Sequence, residues 1–415
     1  MKFGLFYEHQ LPKPWKEGDE HQLLKDALDQ IELADQLGYD YVWEVEHHFL
    51  EEYSHSSAPE VFLAAASQRT KNIRIGHGIV QLPMEFNHPA RVAERIATLD
   101  LISDGRVEFG TGEGSAEIEL GGFNVDRAVK RREWSEALDA ITKMFVETPF
   151  AGYNGEFLKM PARNVLPKPM QKPHPPLWMA CSQHETITLA ASKGIGALSF
   201  AFIEPEQAKE WVDEYYKIIA SEQCNPAGFS VNPNVAIVLP FSVHEDEKTA
   251  VERGVEGANF FDYSLGHYYA FGKHRPGYSD IWDEFNKNQL QATSSASEET
   301  GHETISRRGA IGTPEQVRDI LRRYEEAGVD QVIFISQAGK NQHEHICEAL
   351  NLFAKEVMPE FKDRDEQYQA RKQQKLALAM EQAMERKKPA RHSDEDYTVV
   401  SPPRLPITES VHAKN

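Results

Sequence analysis

Short runs of apolar, β-branched or aromatic residues recur along the first 360 positions, separated by stretches with apolar residues at i, i+3 and i+4. The runs predict strands at residues 2–7 (KFGLFY), 39–45 (YDYVWEV), 73–80 (IRIGHGIV) and 106–110 (RVEFG). Four more are predicted at 176–180 (PLWMA), 196–200 (GALSF), 234–241 (NVAIVLPF) and 331–335 (QVIFI). Helical periodicity fills most gaps: Leu24, Ala27, Leu28, Ile31, Ala34 and Leu37 form one stripe, and Gly38 stops it. Thr313-Pro314-Glu315 is a cap and first turn for a helix reaching Gly328. Strands alternating with amphipathic helices are the pattern of parallel βαβ units. Eight such units in one chain predict an α/β fold of the (β/α)₈ TIM-barrel type, whose chemistry sits on the loops that follow the strands. An open doubly wound sheet is the runner-up; it would need a Gly-rich fingerprint after the first strand, where YEHQLPKPW stands instead.

Two connections are too long for plain barrel loops. Residues 150–175 contain five prolines and predict an ordered excursion with a short hairpin before the fifth strand. Residues 254–309 bring together Phe260, Phe261, Tyr263, Tyr268, Tyr269, Phe271, Tyr278, Trp282 and Phe285, followed by the polar run QATSSASEETGHE. An aromatic-dense insertion after the seventh strand predicts either a mobile lid over an apolar substrate or an extra helix packed on the barrel. Pro359 closes the last strongly periodic helix, so residues 1–358 are expected to form the barrel and 359–415 a charged helical extension with a disordered end. Leu376, Leu378, Ala379 and Met380 give that extension a weak apolar stripe, solvated or docked on a second subunit.

The formal charge is −20, from 45 Lys plus Arg and 65 Asp plus Glu. Residues 361–415 hold 11 of the former and 9 of the latter, so the barrel itself carries −22. That balance argues against a nucleic-acid partner, which needs a basic footprint. Cys181, Cys224 and Cys347 are odd in number and lack metal spacing, which implies a reducing, cytoplasmic setting. No apolar stretch is long enough for a membrane span.

Candidate chemistry clusters after the strands. Glu44, Glu46, His47 and His48 place two carboxylates and two imidazoles at the end of the second, where they suit proton transfer or metal binding. Neighbouring residues on an extended segment point to opposite sides, so one catalytic and one structural histidine is the better reading. Gly110, Gly112 and Gly114 after the fourth strand allow a flat or phosphorylated ligand close to the backbone. Cys181-Ser182-Gln183-His184-Glu185-Thr186 after the fifth reads as a helix start with Ser182 as cap, and such a terminus holds phosphate.

Taken in order, EHHF (46–49), IRIGHGIVQLPMEFNHPARVAE (73–94), DLISDGRVEFGTGEGS (100–115), PPLWMACS and GTPEQV resemble the bacterial luciferase-like flavin-dependent monooxygenases over roughly residues 1–358. The resemblance implies the barrel above with an insertion after strand seven. It implies reduced FMN from a separate flavin reductase, oxygen, a flavin C4a-(hydro)peroxide, and oxygenation of a small apolar organic substrate by a homo-oligomer. Carried over by position, it makes His47 the catalytic acid/base, His48 its neighbour near the flavin, and Glu119 the acidic residue after strand four. It puts a non-proline cis peptide at Gly78-Ile79 under the flavin ring and the phosphate at Ser182 and Thr186. Glu46, Gly110, Gly112 and Cys181 would contact the cofactor from the same loops. No metal is implied.

One position departs from the family pattern. Glu113 stands where many relatives carry a phosphate-binding arginine, so the phosphate must rely on Arg131 or Arg132 and the Ser182 helix, or Glu113 has another role. Three rival readings remain: a deazaflavin-dependent hydride-transfer enzyme, a metal-dependent hydrolase using Glu44, Glu46, His47 and His48, and a non-catalytic flavin-binding protein.

Overall fold

The first strand, Lys2–Tyr7, is flanked by the second, Tyr41–Glu44, and by the eighth, Gln331–Ile335. Between those two the order runs Arg74–His77, Val107–Gly112, Leu177–Cys181, Gly196–Ser199 and Val235–Val243, every pairing is parallel, and the ring closes. This is the (β/α)₈ barrel that the alternation predicts. The structure is a computed structural model describing residues 1–200, 202–295, 309–391, 393 and 396–401, with 290–295 as backbone alone. Two expected strands end elsewhere. The third stops at His77, and Val80–Gln81 resumes beside Thr111 and Gly112; the fourth runs on through Gly112.

Period-two alternation assigns each strand face. Phe6, Trp43, Trp178, Leu198, Ala236, Val238, Ile333 and Ile335 fill the barrel interior, whereas Phe3, Leu5, Val42, Ile75, Phe109, Val332 and Phe334 face the helix layer. Trp43 and Trp178 meet edge to face at 5.2 Å across the interior. Each lies against a glycine: a Cβ on Gly76 would come 2.3 Å from Trp43, and one on Gly196 2.5 Å from Trp178. Large and small residues thus interdigitate in one layer. Gly110 is tighter still, since a Cβ there would stand 1.9 Å from the His77 carbonyl oxygen. Gly110→Ala should therefore cost about 3 kcal/mol or more, because backbone rather than a rotatable side chain must give way. Thermal unfolding checks this: an unchanged midpoint would show that strands three and four are not this close.

The excursion before strand five carries the expected hairpin, Tyr153–Asn154 against Lys159–Met160. After strand seven, helix Glu247–Gly266 passes into a π-helical turn at His267–Phe271, and helix Ile281–Ser295 follows. Strand Ala310–Gly312 then pairs with the end of strand seven. Residues 296–303 of the polar run lie outside the described residues. Phe260, Phe261, Tyr268, Ile281 and Phe285 are buried against Phe6, Trp43 and Tyr53, whereas Phe271 and Tyr278 are exposed. Glu52 accepts hydrogen bonds from the backbone N–H groups of Lys13, Ile281 and Trp282, which fastens this insertion to the loop after strand two.

Helix Met358–Glu385 crosses the opposite end of the barrel. Met358, Phe361, Leu376 and Ala383 are buried in the core there, while Leu378 of the expected stripe is exposed. The Met1 ammonium lies 2.8 Å from Asp365, and Lys372 lies 2.6 Å from Asp330 just before strand eight. No helix among the described residues is long and apolar enough to cross a membrane.

Candidate active site

The ends of seven strands enclose a cavity of ≈330 Å³, within the range of roughly 300–1,000 Å³ usual for ligand sites. Glu8 enters from the first strand, Glu46 and His47 from the second, Gly78 and Ile79 from the third, and Gly112 to Ser115 from the fourth. Ser182 and Thr186 follow the fifth, Phe200 and Phe202 the sixth, and Phe261, Leu265 and Tyr269 come from the insertion after the seventh.

His47 is held between two carboxylates. Its Nδ1–H donates to Glu119 Oε1 at 3.0 Å, and its Nε2 stands 3.7 Å from Glu8 Oε2. Burial disfavours the cation, but the negative charges of Glu119 and Glu8 outweigh it and push the His47 pKa up to about 9. Glu8 is pushed up to about 7, chiefly by burial; His47 and the Tyr53 O–H, which donates to Glu8 Oε1 at 3.0 Å, offset only part of this. These shifts favour the imidazolium form of His47 at neutral pH and bring the pKa of the Glu8 carboxyl close to neutrality. Glu8 Oε2 and Glu119 Oε2 are buried and accept no hydrogen bond among the described residues.

Glu119 orients the site as well as charging it. Its Oε1 also accepts from the His48 backbone N–H at 2.9 Å and from Gln81 Nε2 at 3.0 Å. Glu46 is fully occupied: Oε2 takes the Gln81 N–H at 2.8 Å, and Oε1 takes Asn87 Nδ2 at 2.7 Å and His48 Nε2 at 3.2 Å. These bonds tie the EHH segment to the loop after strand three. His48 is turned away from the cavity into Phe49, Phe86 and Phe123, the last at 4.9 Å. Adjacent histidines thus separate as extended geometry requires.

The family model for luciferase-like monooxygenases matches residues 1–331. The chain belongs to that family. The oxygenase component of flavin-dependent trigonelline monooxygenase from Acinetobacter baylyi is 26% identical over 379 residues, 88% of this chain and 96% of that one. Protein y4wF of Sinorhizobium fredii is 34% identical over 169 residues, 41% of this chain, and the match spans about half (48%) of that relative. The structure of monooxygenase RslO1 from Streptomyces bottropensis matches with a TM-score of 0.69 and 25% identity, covering 87% of this chain and all of that one. As an enzyme, this luciferase-like chain is an oxidoreductase.

Of the residues singled out in the sequence, Glu46, His47, Gly78, Ile79, Gly112, Ser182 and Thr186 line the cavity, and Glu119 hydrogen-bonds to His47 behind it. Other expectations are corrected. The cis peptide bonds among the described residues all precede proline, and Gly78-Ile79 is not one of them. Gln183, not Ser182, caps helix His184–Ser192; it forms a capping box with Thr186, whose hydroxyl is therefore already engaged. Arg132 leaves the site to pair with Glu156 at 2.6 Å and to cover Phe157. Gly110 is packing, not lining, and Cys181 is a core residue whose thiol is pushed up to about 12 by burial. Arg131 sits at the rim between Glu113 and Glu185. Glu44 turns inward to His9 and Ser56, so the four residues of a metal site do not converge.

Glu8, Tyr53, Gln81 and Lys130 line the cavity without having been singled out in the sequence, whereas Tyr269 comes from the aromatic insertion. Glu8 had a signal: it is the residue directly after the first strand. Lys130 had none, because it reaches the cavity from the start of helix Lys130–Val146.

Proposed function

We propose that the chain is the oxygenase of a two-component monooxygenase, taking reduced FMN from a separate flavin reductase and adding one atom of molecular oxygen to an apolar organic substrate. The observation that carries this reading is His47, braced by Glu119 and Glu8 and facing a cavity with two unlike walls. One wall is backbone and aliphatic, made by Gly78, Ile79 and Gly112, and suits a flat ring. The other is aromatic, made by Phe200, Phe202, Phe261, Tyr53 and Tyr269, and suits an apolar substrate. Reduced FMN, when bound, supplies the electron pair that activates oxygen.

The chain's own residues do the rest. Gly78, Ile79 and Gly112 give room for a ring, while Lys130 and Ser182, which also line the cavity, would hold its phosphate. Phe261, Leu265 and Tyr269 keep water from the reacting centre. His47 holds a proton on Nε2 and delivers it toward the cavity, and Glu8, 3.7 Å away with a pKa near 7, restores it. The second oxygen atom leaves as water.

The test combines binding with labelling. The chain should bind reduced FMN under anaerobic titration. With a reductase and heavy-isotope oxygen gas it should place one heavy oxygen atom in a product drawn from long-chain aldehydes, cyclic terpenes and N-heteroaromatic compounds. Oxygen-independent hydride transfer with a deazaflavin, and no label, would replace this reading with the deazaflavin one.

A further inference from the structure

Where strands four and five end, the cavity has a charged corner. Glu113 lines it, and its Oε1 accepts from Arg131 Nη2 at 3.0 Å and Nε at 3.2 Å. Lys130 Nζ lies 3.5 Å from Glu113 Oε2 and donates to the Gly114 carbonyl. Arg131 Nη1 reaches Glu185 at 2.7 Å, on the first turn of the helix whose residue Thr186 lines the cavity with Ser182. Two cations and two carboxylates leave the corner without net charge. Among the described residues that line the cavity, Lys130 is the one lysine or arginine.

We propose that Glu113 is a stand-in for the cofactor's phosphate: it holds Lys130 and Arg131 in the free chain and gives them up when a flavin phosphate enters between them and the Ser182 hydroxyl. The inference rests on the flavin reading above and concerns the phosphate alone. A carboxylate left against a phosphate dianion repels it, so the two compete for the same cations. The guanidinium fork that takes a carboxylate takes a phosphate equally well, and the dianion brings more charge. Of the two contacts to be broken, the Arg131 pair is labile, because its side chain is 47% exposed and exposed ion pairs are weak, and the Lys130 pair, although less exposed, is long at 3.5 Å.

The exchange has a functional consequence. Binding of the phosphate is opposed by the ion pairs it must displace and by a chain charge of −20, so flavin mononucleotide is held loosely and released readily. That suits a cofactor that arrives reduced from another protein and must return to it oxidised after each turnover.

Equilibrium titration of the full chain with FMN and with riboflavin, which lacks the phosphate, separates the parts. The wild type should bind FMN about tenfold or more tighter than riboflavin. Glu113→Gln should tighten FMN by about three- to tenfold and leave riboflavin unchanged, because the cations are freed while the ring site is untouched. Lys130→Met should weaken FMN by about tenfold, again without effect on riboflavin, and Lys130→Arg should restore it. Weaker or unchanged FMN binding in Glu113→Gln overturns the proposal, since the carboxylate would then be positioning the cations for the phosphate. A parallel change in riboflavin overturns it too, by placing Glu113 against the ring. Equal wild-type affinity for the two flavins removes the phosphate corner but leaves the ring site standing, whereas binding of neither removes the flavin reading itself.

Discussion

His47→Gln lowers kcat by about 10²–10⁴-fold, the usual contribution of a positioned proton donor, while affinity for reduced FMN stays within a few-fold of wild type. The expectation follows from where the ring sits. Its Nδ1 is fixed by Glu119 at 3.0 Å, so Nε2 is the one nitrogen free to deliver a proton, and it faces the cavity beside Glu8. Glutamine keeps most of the volume and offers an N–H but has no ionisable proton. His47→Ala would show the same loss with a side effect, because Glu8 and Glu119 would remain buried without the cation between them. Turnover under a constant supply of reduced FMN and anaerobic titration give the two readouts. Unchanged turnover removes His47 from the chemistry, and a parallel collapse of binding makes it a structural residue.

The architecture was legible because all eight barrel strands are buried on both faces, which writes them as continuous apolar runs such as QVIFI and NVAIVLPF. Their ends were less legible. The third run extends to Val80 in the sequence, yet its pairing ends at His77; the Gly78 N–H makes a last bond to the carbonyl of Glu44 at the end of strand two before Val80 and Gln81 return beside strand four. The fourth was closed at Gly110, yet pairing continues because Val80 and Gln81 return to it. The cap of helix His184–Ser192 was misplaced by one residue, since Ser182 and Gln183 are both polar and the choice is made by the reciprocal bond to Thr186.

The site was legible in proportion to how local it is. The segment EVEHH announced itself because four ionisable residues, Glu44, Glu46, His47 and His48, stand together at a strand end. The rule that barrel chemistry follows each strand also points at Glu8, which a reading centred on histidines passes over. Lys130 and Arg131 are different. They fold back onto Glu113 from a helix 17 or 18 positions further along, and nothing in their own neighbourhood distinguishes them from Arg132, which turns outward to Glu156. Rotation of about 100° per residue around a helix separates the three, and the phase of that rotation is set by the packing of Trp134, Leu138 and Ile141 on the barrel.

Glu119→Gln tests the electrostatic half of the mechanism and carries the second large effect. Glutamine Oε1 can accept the same three donors, from His47, His48 and Gln81, so the geometry is kept and the charge is lost. Glu119 favours the imidazolium, so its removal must lower the His47 pKa from about 9 toward the ordinary value of 6.5. If His47 acts as an acid, wild-type kcat/KM falls above about pH 9, and the same limb in Glu119→Gln moves down by about one to two pH units. At pH 8 the variant is then about half to nine-tenths deprotonated and slower in proportion, while near pH 6 it recovers most of the wild-type rate. Stability follows the same sign. A histidine whose folded pKa lies above its unfolded value stabilises the fold fully below pH 6.5, and that contribution is lost as pH rises through 9. The wild type should lose up to about 3 kcal/mol over that interval, and the variant much less. A pH–rate profile and thermal unfolding at pH 6 and 9.5 measure both. A limb that stays at pH 9 in the variant would show that a group other than His47 holds the proton.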